Sequence, residues 1–85
     1  MRLDCGIARR RIDAWLSEEL ALRRDGLGWV FFHGDCSCRI STDELERRPL
    51  GAVEIERTEL RVEGDEPARE EFMRLFTLRF MSAGG

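Results

Sequence analysis

Gly34-Asp35 constrains this chain more than any other dipeptide, because it separates two segments that both read as β-strands. Before it, Gly28-Trp29-Val30-Phe31-Phe32 is aromatic and β-branched, the composition that suits a pleated, half-buried surface. After it, Cys36 to Ser41 alternates, with Cys36, Cys38 and Ile40 on one parity and Ser37, Arg39 and Ser41 on the other. A short turn between such runs predicts an antiparallel hairpin with one face covered and one face wet. An isolated hairpin is marginal in water, so the rest of the chain must supply the cover.

Two segments have the periodicity for that. From Ile7 to Arg24, residues Ala8, Ile12, Trp15, Leu16 and Leu20 recur at helical spacing, with Asp4 as the expected N-cap. Arg23 and Arg24 then suit the negative end of the helix dipole, and Asp25-Gly26 reads as its stop. The second helix is expected over Glu66–Ser82, because Pro67 has the fixed φ of a first helical position and acids crowd the first turn. Phe76, Leu78 and Phe80 also alternate, as a closing strand would, but no turn residue separates Glu71 from Phe76, which favours an unbroken helix.

Between these helices, Ser41 to Glu46 resembles a capped helical turn ended by Pro49 and Gly51. Ala52 to Glu63 alternates again. Val53 and Ile55 lie on one parity and Leu60 and Val62 on the other, which calls for a bulge or turn near Arg57-Thr58, in one long strand or between two short ones, if all four face the core. Met1-Leu3 is long enough only for a strand end. The expectation is a single α+β domain over residues 1–85, a two-layer sandwich with two helices on one face of a three- to four-stranded antiparallel sheet. Its core would comprise Ile12, Trp15, Leu16 and Leu20 from the first helix and Phe72 and Phe76 from the second. The strands would add Val30, Phe32, Ile40, Val53, Ile55, Leu60 and Val62.

Charge narrows the function classes. Residues 1–42 carry a net +1 and residues 43–85 a net −4, so neither half has the cationic excess that phosphate neutralisation requires, and nucleic acid is not an expected partner. Lysine is absent, which removes Schiff-base and lysine general-base chemistry. No stretch approaches the ~20 apolar residues of a membrane span, and Met1 to Ile7 lacks a signal-peptide pattern. With three cysteines, an odd number, the expected setting is the cytoplasm with free or metal-bound thiols.

The candidate chemistry is concentrated in His33-Gly34-Asp35-Cys36-Ser37-Cys38, which holds the only histidine and two of the three cysteines. Residues two apart on a strand point the same way, so Cys36 and Cys38 share a face, and His33 can meet them from the opposing strand. Cys5 would complete a Cys₃His set of the kind that holds structural zinc. Against this, Cys-x-Cys is tighter than the usual zinc spacing, and the parity shared with Ile40 fits two thiols used as small core residues equally well. Cys36 and Cys38 also admit a thiol-redox reading, which needs a thiol pKa lowered by a nearby cation or helix N-terminus. A nucleophilic cysteine paired with His33 lacks a nameable residue to orient the imidazole, so catalysis is not the expectation.

The charged runs read as surface. Arg9-Arg10-Arg11 fan out around a helix, and Glu54, Glu56, Glu59 and Glu63 would line the wet side of the sheet and guard its edge. Gly84-Gly85 resembles the Gly-Gly tail of ubiquitin-like sulfur carriers, whose terminal carboxylate is activated by adenylation. Those carriers open with a β-hairpin, whereas this pattern opens with a helix, so Gly84-Gly85 reads as a helix stop. The functional expectation comes from the second helix. Between Phe72 and Met81 only Arg74, Thr77 and Arg79 are not apolar, whereas a helix on a sheet needs an apolar stripe little wider than about 100°. Phe72, Phe76 and Phe80 can face the sheet, leaving Leu78 and Met81 for a second surface. A non-catalytic interaction domain that forms a homodimer through this helix is therefore expected.

Overall fold

The computed structural model of the chain describes residues 1–81. In chain order the elements are β1 (Arg2–Cys5), α1 (Arg9–Ala14, continued by a π-helical turn Trp15–Glu19), β2 (Arg23–Asp25), β3 (Gly28–His33), β4 (Cys36–Leu50), β5 (Val53–Gly64) and α2 (Glu66–Phe76, continued by a π-helical turn Thr77–Met81). The strands form one antiparallel sheet in the order β1-β5-β4-β3-β2, and both helices pack on the same face. The α+β sandwich is thus the observed architecture, with five strands instead of three to four. The two extra strands, β1 and β2, are the short edges, of 4 and 3 residues. Both are rich in charge, as exposed edges must be to avoid pairing with other chains.

Three hairpins share one turn. Gly26-Leu27, Gly34-Asp35 and Gly51-Ala52 are each a two-residue loop between paired strand ends, and in each the glycine comes first with φ of 61°, 62° and 61°. A positive φ at that position is the hallmark of the type II′ turn, whose twist matches that of the flanking strands. Gly26 is therefore a hairpin turn and not a helix stop. The first helix ends at Glu19 instead of Arg24, Arg23 and Arg24 belong to β2, and Asp4 lies in β1 instead of capping a helix. The chain accordingly opens with a strand. The segment Ser41–Glu46 is also strand. A continuous ladder from Ser41↔Arg61 to Leu45↔Arg57 outweighs its local capping pattern.

Register overturns two parts of the expected core. Because His33 pairs with Cys36 across the turn, Phe31 pairs with Cys38 and Trp29 with Ile40. Trp29 and Phe31 are buried, while Val30 is half-buried and Phe32 is 60 % exposed on the open face. Along β5 the parity never switches. Thr58, Leu60 and Val62 are buried under the helices, whereas Val53 and Ile55 lie on the open face. The irregularity sits instead in β4, between Leu45 and Arg48, two strand positions that oppose Arg57 and Ile55. Nor is β5 an edge. It lies between β1 and β4, and Glu56 faces the helix side, where Arg10 and Arg47 donate to it at 3.0 and 3.1 Å.

The centre of the core is aromatic. Trp15 meets Phe72, Phe76 and Phe80 at centroid distances of 5.7, 5.9 and 5.3 Å. The π-turn at the end of α2 explains how three phenylalanines spaced by four share one line. Four residues of α-helix overshoot a full turn by roughly 40°, and the wider i→i+5 turn reverses that drift. Leu20 is only half-buried beside this cluster. Thr42 and Thr58, both buried, tie the helix layer to the sheet. The Thr42 hydroxyl donates to Asp13 at 2.7 Å and accepts from Arg9 at 3.1 Å, and Thr58 donates to the Ile7 carbonyl at 2.6 Å. The predicted end of the second helix at Ser82 and the Gly84-Gly85 stop lie outside the described residues.

Candidate functional site

The β3–β4 turn and the start of α2 form one corner of the molecule. Gly64 ends β5 opposite Cys38 with φ of 137°, and a Cβ there would lie 2.6 Å from the Ser37 carbonyl oxygen and 2.7 Å from the Cys38 Cα. Only glycine lets the chain turn this tightly against β4. Asp65 then docks on the same strand twice. Its N–H donates to the Ser37 carbonyl, and its carboxylate accepts from the Ser37 N–H, both at 2.9 Å. This clamp fixes where α2 starts and lays Ala68 and Phe72 over the strand pair, with Phe72 at 5.7 Å from Phe31.

The clamp separates the fates of the thiols. Cys38, paired with Phe31, is 2 % exposed, and burial pushes its thiol up to about 11, with Arg69 opposing and Asp65 reinforcing that shift. It is a neutral core residue at physiological pH. Cys5, on β1 opposite Thr58, is buried and donates its S–H to the Thr58 carbonyl at 3.4 Å; burial raises its pKa as well. Cys36 is half-buried at the corner and stands directly across the closing pair of the hairpin from His33, which is exposed. Glu71, on the second turn of α2, is close enough for the His33 charge to act on it. The hydrogen bond from Arg74 is the largest influence holding the Glu71 carboxyl low, and His33 adds to it.

Of the four residues the sequence offers as zinc ligands, the structure brings His33 and Cys36 together and places Cys38 next along the same face, sealed under α2. Cys5 is not brought to them. It registers with Thr58, while Cys38 registers with Gly64, which puts the two cysteines ~20 Å apart along the strand direction at ~3.3 Å per residue. Among the described residues no group of three or more His, Cys, Asp and Glu side chains is arranged to hold a metal ion. The thiol-redox pair meets a similar obstacle, since burial holds Cys38 in its protonated form, and the thiolate is the reactive species. Glu71, whose carboxyl feels the His33 charge weakly, was not identifiable from sequence, because it lies 38 positions further on in a separate element.

Two shallow cavities lie on the face of the sheet away from the helices. One, of about 180 Å³, is lined by Arg39, Ser41, Arg61 and Glu63 beside Gly28 and Leu27. The other, of about 330 Å³, is lined by Asp4, Gly6, Arg48, Ile55 and Arg57. Three of their four arginines are paired within the chain, Arg39 with Asp25, Arg61 with Glu59 and Arg57 with Asp4. The Arg9–Arg11 run is likewise dispersed. Arg9 bonds Thr42, Arg10 pairs with Glu56, and Arg11 lies over the Phe80 ring at 5.6 Å. No helix is long and apolar enough to cross a membrane among the described residues. Compared with protein-family models, with curated proteins and with solved structures, the chain matches none.

Proposed function

We propose that the chain is a small, non-catalytic, cytoplasmic interaction domain that forms a homodimer through the outer face of α2 and its π-turn. One observation carries this reading. Phe72 and Phe76 are fully buried and Phe80 lies on Trp15, so the core takes all it needs from this helix, yet Leu78 and Met81 remain 58 % and 53 % exposed. Three residues apart, they share a stripe with the half-buried Leu75. Arg79, between them, pairs with Glu19 at 3.2 Å, and the neighbouring Arg74 pairs with Glu71 on its own helix. Contiguous apolar surface of this kind on a small protein marks an interface, and two-fold dimers are its commonest form. The three free thiols support a reducing compartment.

Sedimentation equilibrium at micromolar concentration tests the proposal. A dimer is expected, and Leu78→Arg with Met81→Arg should convert it to a folded monomer whose melting temperature is lower than the wild type's at the same total concentration, because the stabilisation by association is lost. A wild-type protein that is strictly monomeric overturns it.

A further inference from the structure

We propose that the outer edge of β5 past the end of β1, from Val53 to Arg57, takes up an extended acidic peptide segment as an added strand. The segment runs antiparallel to β5, as β1 does, pairs its backbone with Glu54 and Glu56, and seats a carboxylate on Arg48 beside Ile55. Register comes first. The Met1 amino group donates to the Val62 carbonyl and the Val62 N–H to the Met1 carbonyl, both at 2.9 Å. In an unbulged antiparallel strand every second residue turns its N–H and C=O to the same side. Leu60, Thr58, Glu56 and Glu54 therefore present theirs to the β1 side, as Val62 does. β1 takes up Leu60 and Thr58, opposite Leu3 and Cys5, and its pairing stops there. Among the described residues no backbone hydrogen bond reaches the outward groups of Glu54 and Glu56. A row of this kind is a template for another chain.

The second observation is how the two long strands differ. Past the end of β3, the edge of β4 is spoiled by its irregularity between Leu45 and Arg48 and by Pro49, which has no N–H to give. From Val53 to Arg57, β5 has neither a bulge nor a proline. The third is the cavity of about 330 Å³ at this edge. Asp4 and Gly6 bound it on the β1 side, Ile55 is its apolar wall, and Arg48 and Arg57 bring two guanidiniums to one carboxylate. Arg57 is bound to Asp4, while Arg48 is in no ion pair among the described residues. A side chain of the added strand on this face meets that cation, and a carboxylate answers it with a charge-assisted hydrogen bond. On the other face Arg10 and Arg47 share Glu56, and Glu54 stands one strand repeat away, so the charges there balance. The fitting segment thus alternates acidic and neutral side chains.

The test titrates the whole isotope-labelled chain with the probe acetyl-Thr-Glu-Thr-Glu-Thr-Glu-Thr-amide and follows the backbone amides by NMR. In the free protein the Glu54 and Glu56 amides should exchange quickly with solvent and the Leu60 amide slowly; saturating probe should slow the first two. Arg48→Gln should weaken binding roughly tenfold or more, and so should a probe with Gln in place of Glu. Arg48 is exposed, so its variant should keep the wild-type amide spectrum. Methylating the Thr amides of the probe, which face β5, should abolish binding, whereas methylating its Glu amides, which face away, should not. The proposal is overturned if the Glu54 and Glu56 amides are already protected in the free chain, or if no binding occurs up to millimolar probe. It is equally overturned if a probe with Lys in place of Glu binds as tightly, or if binding survives both Arg48→Gln and methylation of the Thr amides.

Discussion

The two hairpins that share β4 close with the same kind of turn and end in opposite conditions. At one end, Gly34-Asp35 joins β3 to β4 beneath α2, and Phe31, Cys38 and Ile40 are buried within a few residues of the loop. At the other, Gly51-Ala52 joins β4 to β5 past the reach of β1 and β3, and the closing pair Leu50 and Val53 is exposed. Strand propensity and turn chemistry do not separate these ends. The helix layer does. Alternation in a strand provides two faces, and which face becomes core depends on where a helix is anchored above it. The Asp65–Ser37 clamp anchors α2 at the first end, while α1 reaches only as far as Thr42, Glu56 and their neighbours towards the second.

This contrast can be broken most forcefully at Phe72. Phe72→Ala should lower stability by about 3–5 kcal/mol in urea denaturation, the range for deleting a buried aromatic ring. A loss below 1 kcal/mol would mean that α2 does not create the core at the first end. Next in size is a pH effect. The folded Cys38 pKa is raised to about 11, above its unfolded value near 9, so the folded state holds the proton more tightly. Stability is then fully present below pH 9 and falls as pH rises towards 11, by roughly 2 kcal/mol. Cys38→Ala should flatten most of that slope, leaving the smaller contribution of Cys5, whose pKa is also raised. A wild-type curve flat between pH 9 and 11 would contradict the buried neutral thiol.

The turns sharpen the comparison at a lower level. Gly34→Ala and Gly51→Ala each place a Cβ at positive φ and should each cost about 1–2 kcal/mol, since neither site meets a steric neighbour within 4 Å and only the backbone conformation is strained. Unequal losses would show that the hairpins are not built alike. The smallest effect belongs to the open tip. Leu50→Ser and Val53→Thr, both on exposed side chains, should change stability by less than about 0.5 kcal/mol. A larger change would mean that the tip is covered in solution.

Particular residues show how far the pattern could be read. Loop length alone makes His33 the partner of Cys36, and with it puts Phe31 and Trp29 on the face of Cys38 and Ile40; the information was present, and an expectation built on Val30 and Phe32 overlooked it. For Val53 and Ile55 the assumption that apolar residues on a strand must face the core suggested a bulge that the strand does not contain. Ser41–Glu46 carries a helix-start pattern that non-local pairing overrides, and such pairing leaves little local trace. In the candidate site, His33 and Cys36 were readable as neighbours. Their distance from Cys5 and the sealing of Cys38 were not.

What this chain determined by itself is whatever depends on neighbours in sequence: the Gly-first turn at 34, the Pro67 helix start, the apolar excess of the second helix, and the α+β class that follows from them. These are properties of backbone conformation and periodicity, which act over a few residues. The tertiary structure alone decided which strand face is core, that Arg2–Cys5 and Arg23–Asp25 become edge strands, and which of three chemically identical thiols remains accessible. Those outcomes depend on burial and strand register, and both arise from contacts between residues far apart in the chain, such as Ser37 with Asp65 and Cys5 with Thr58.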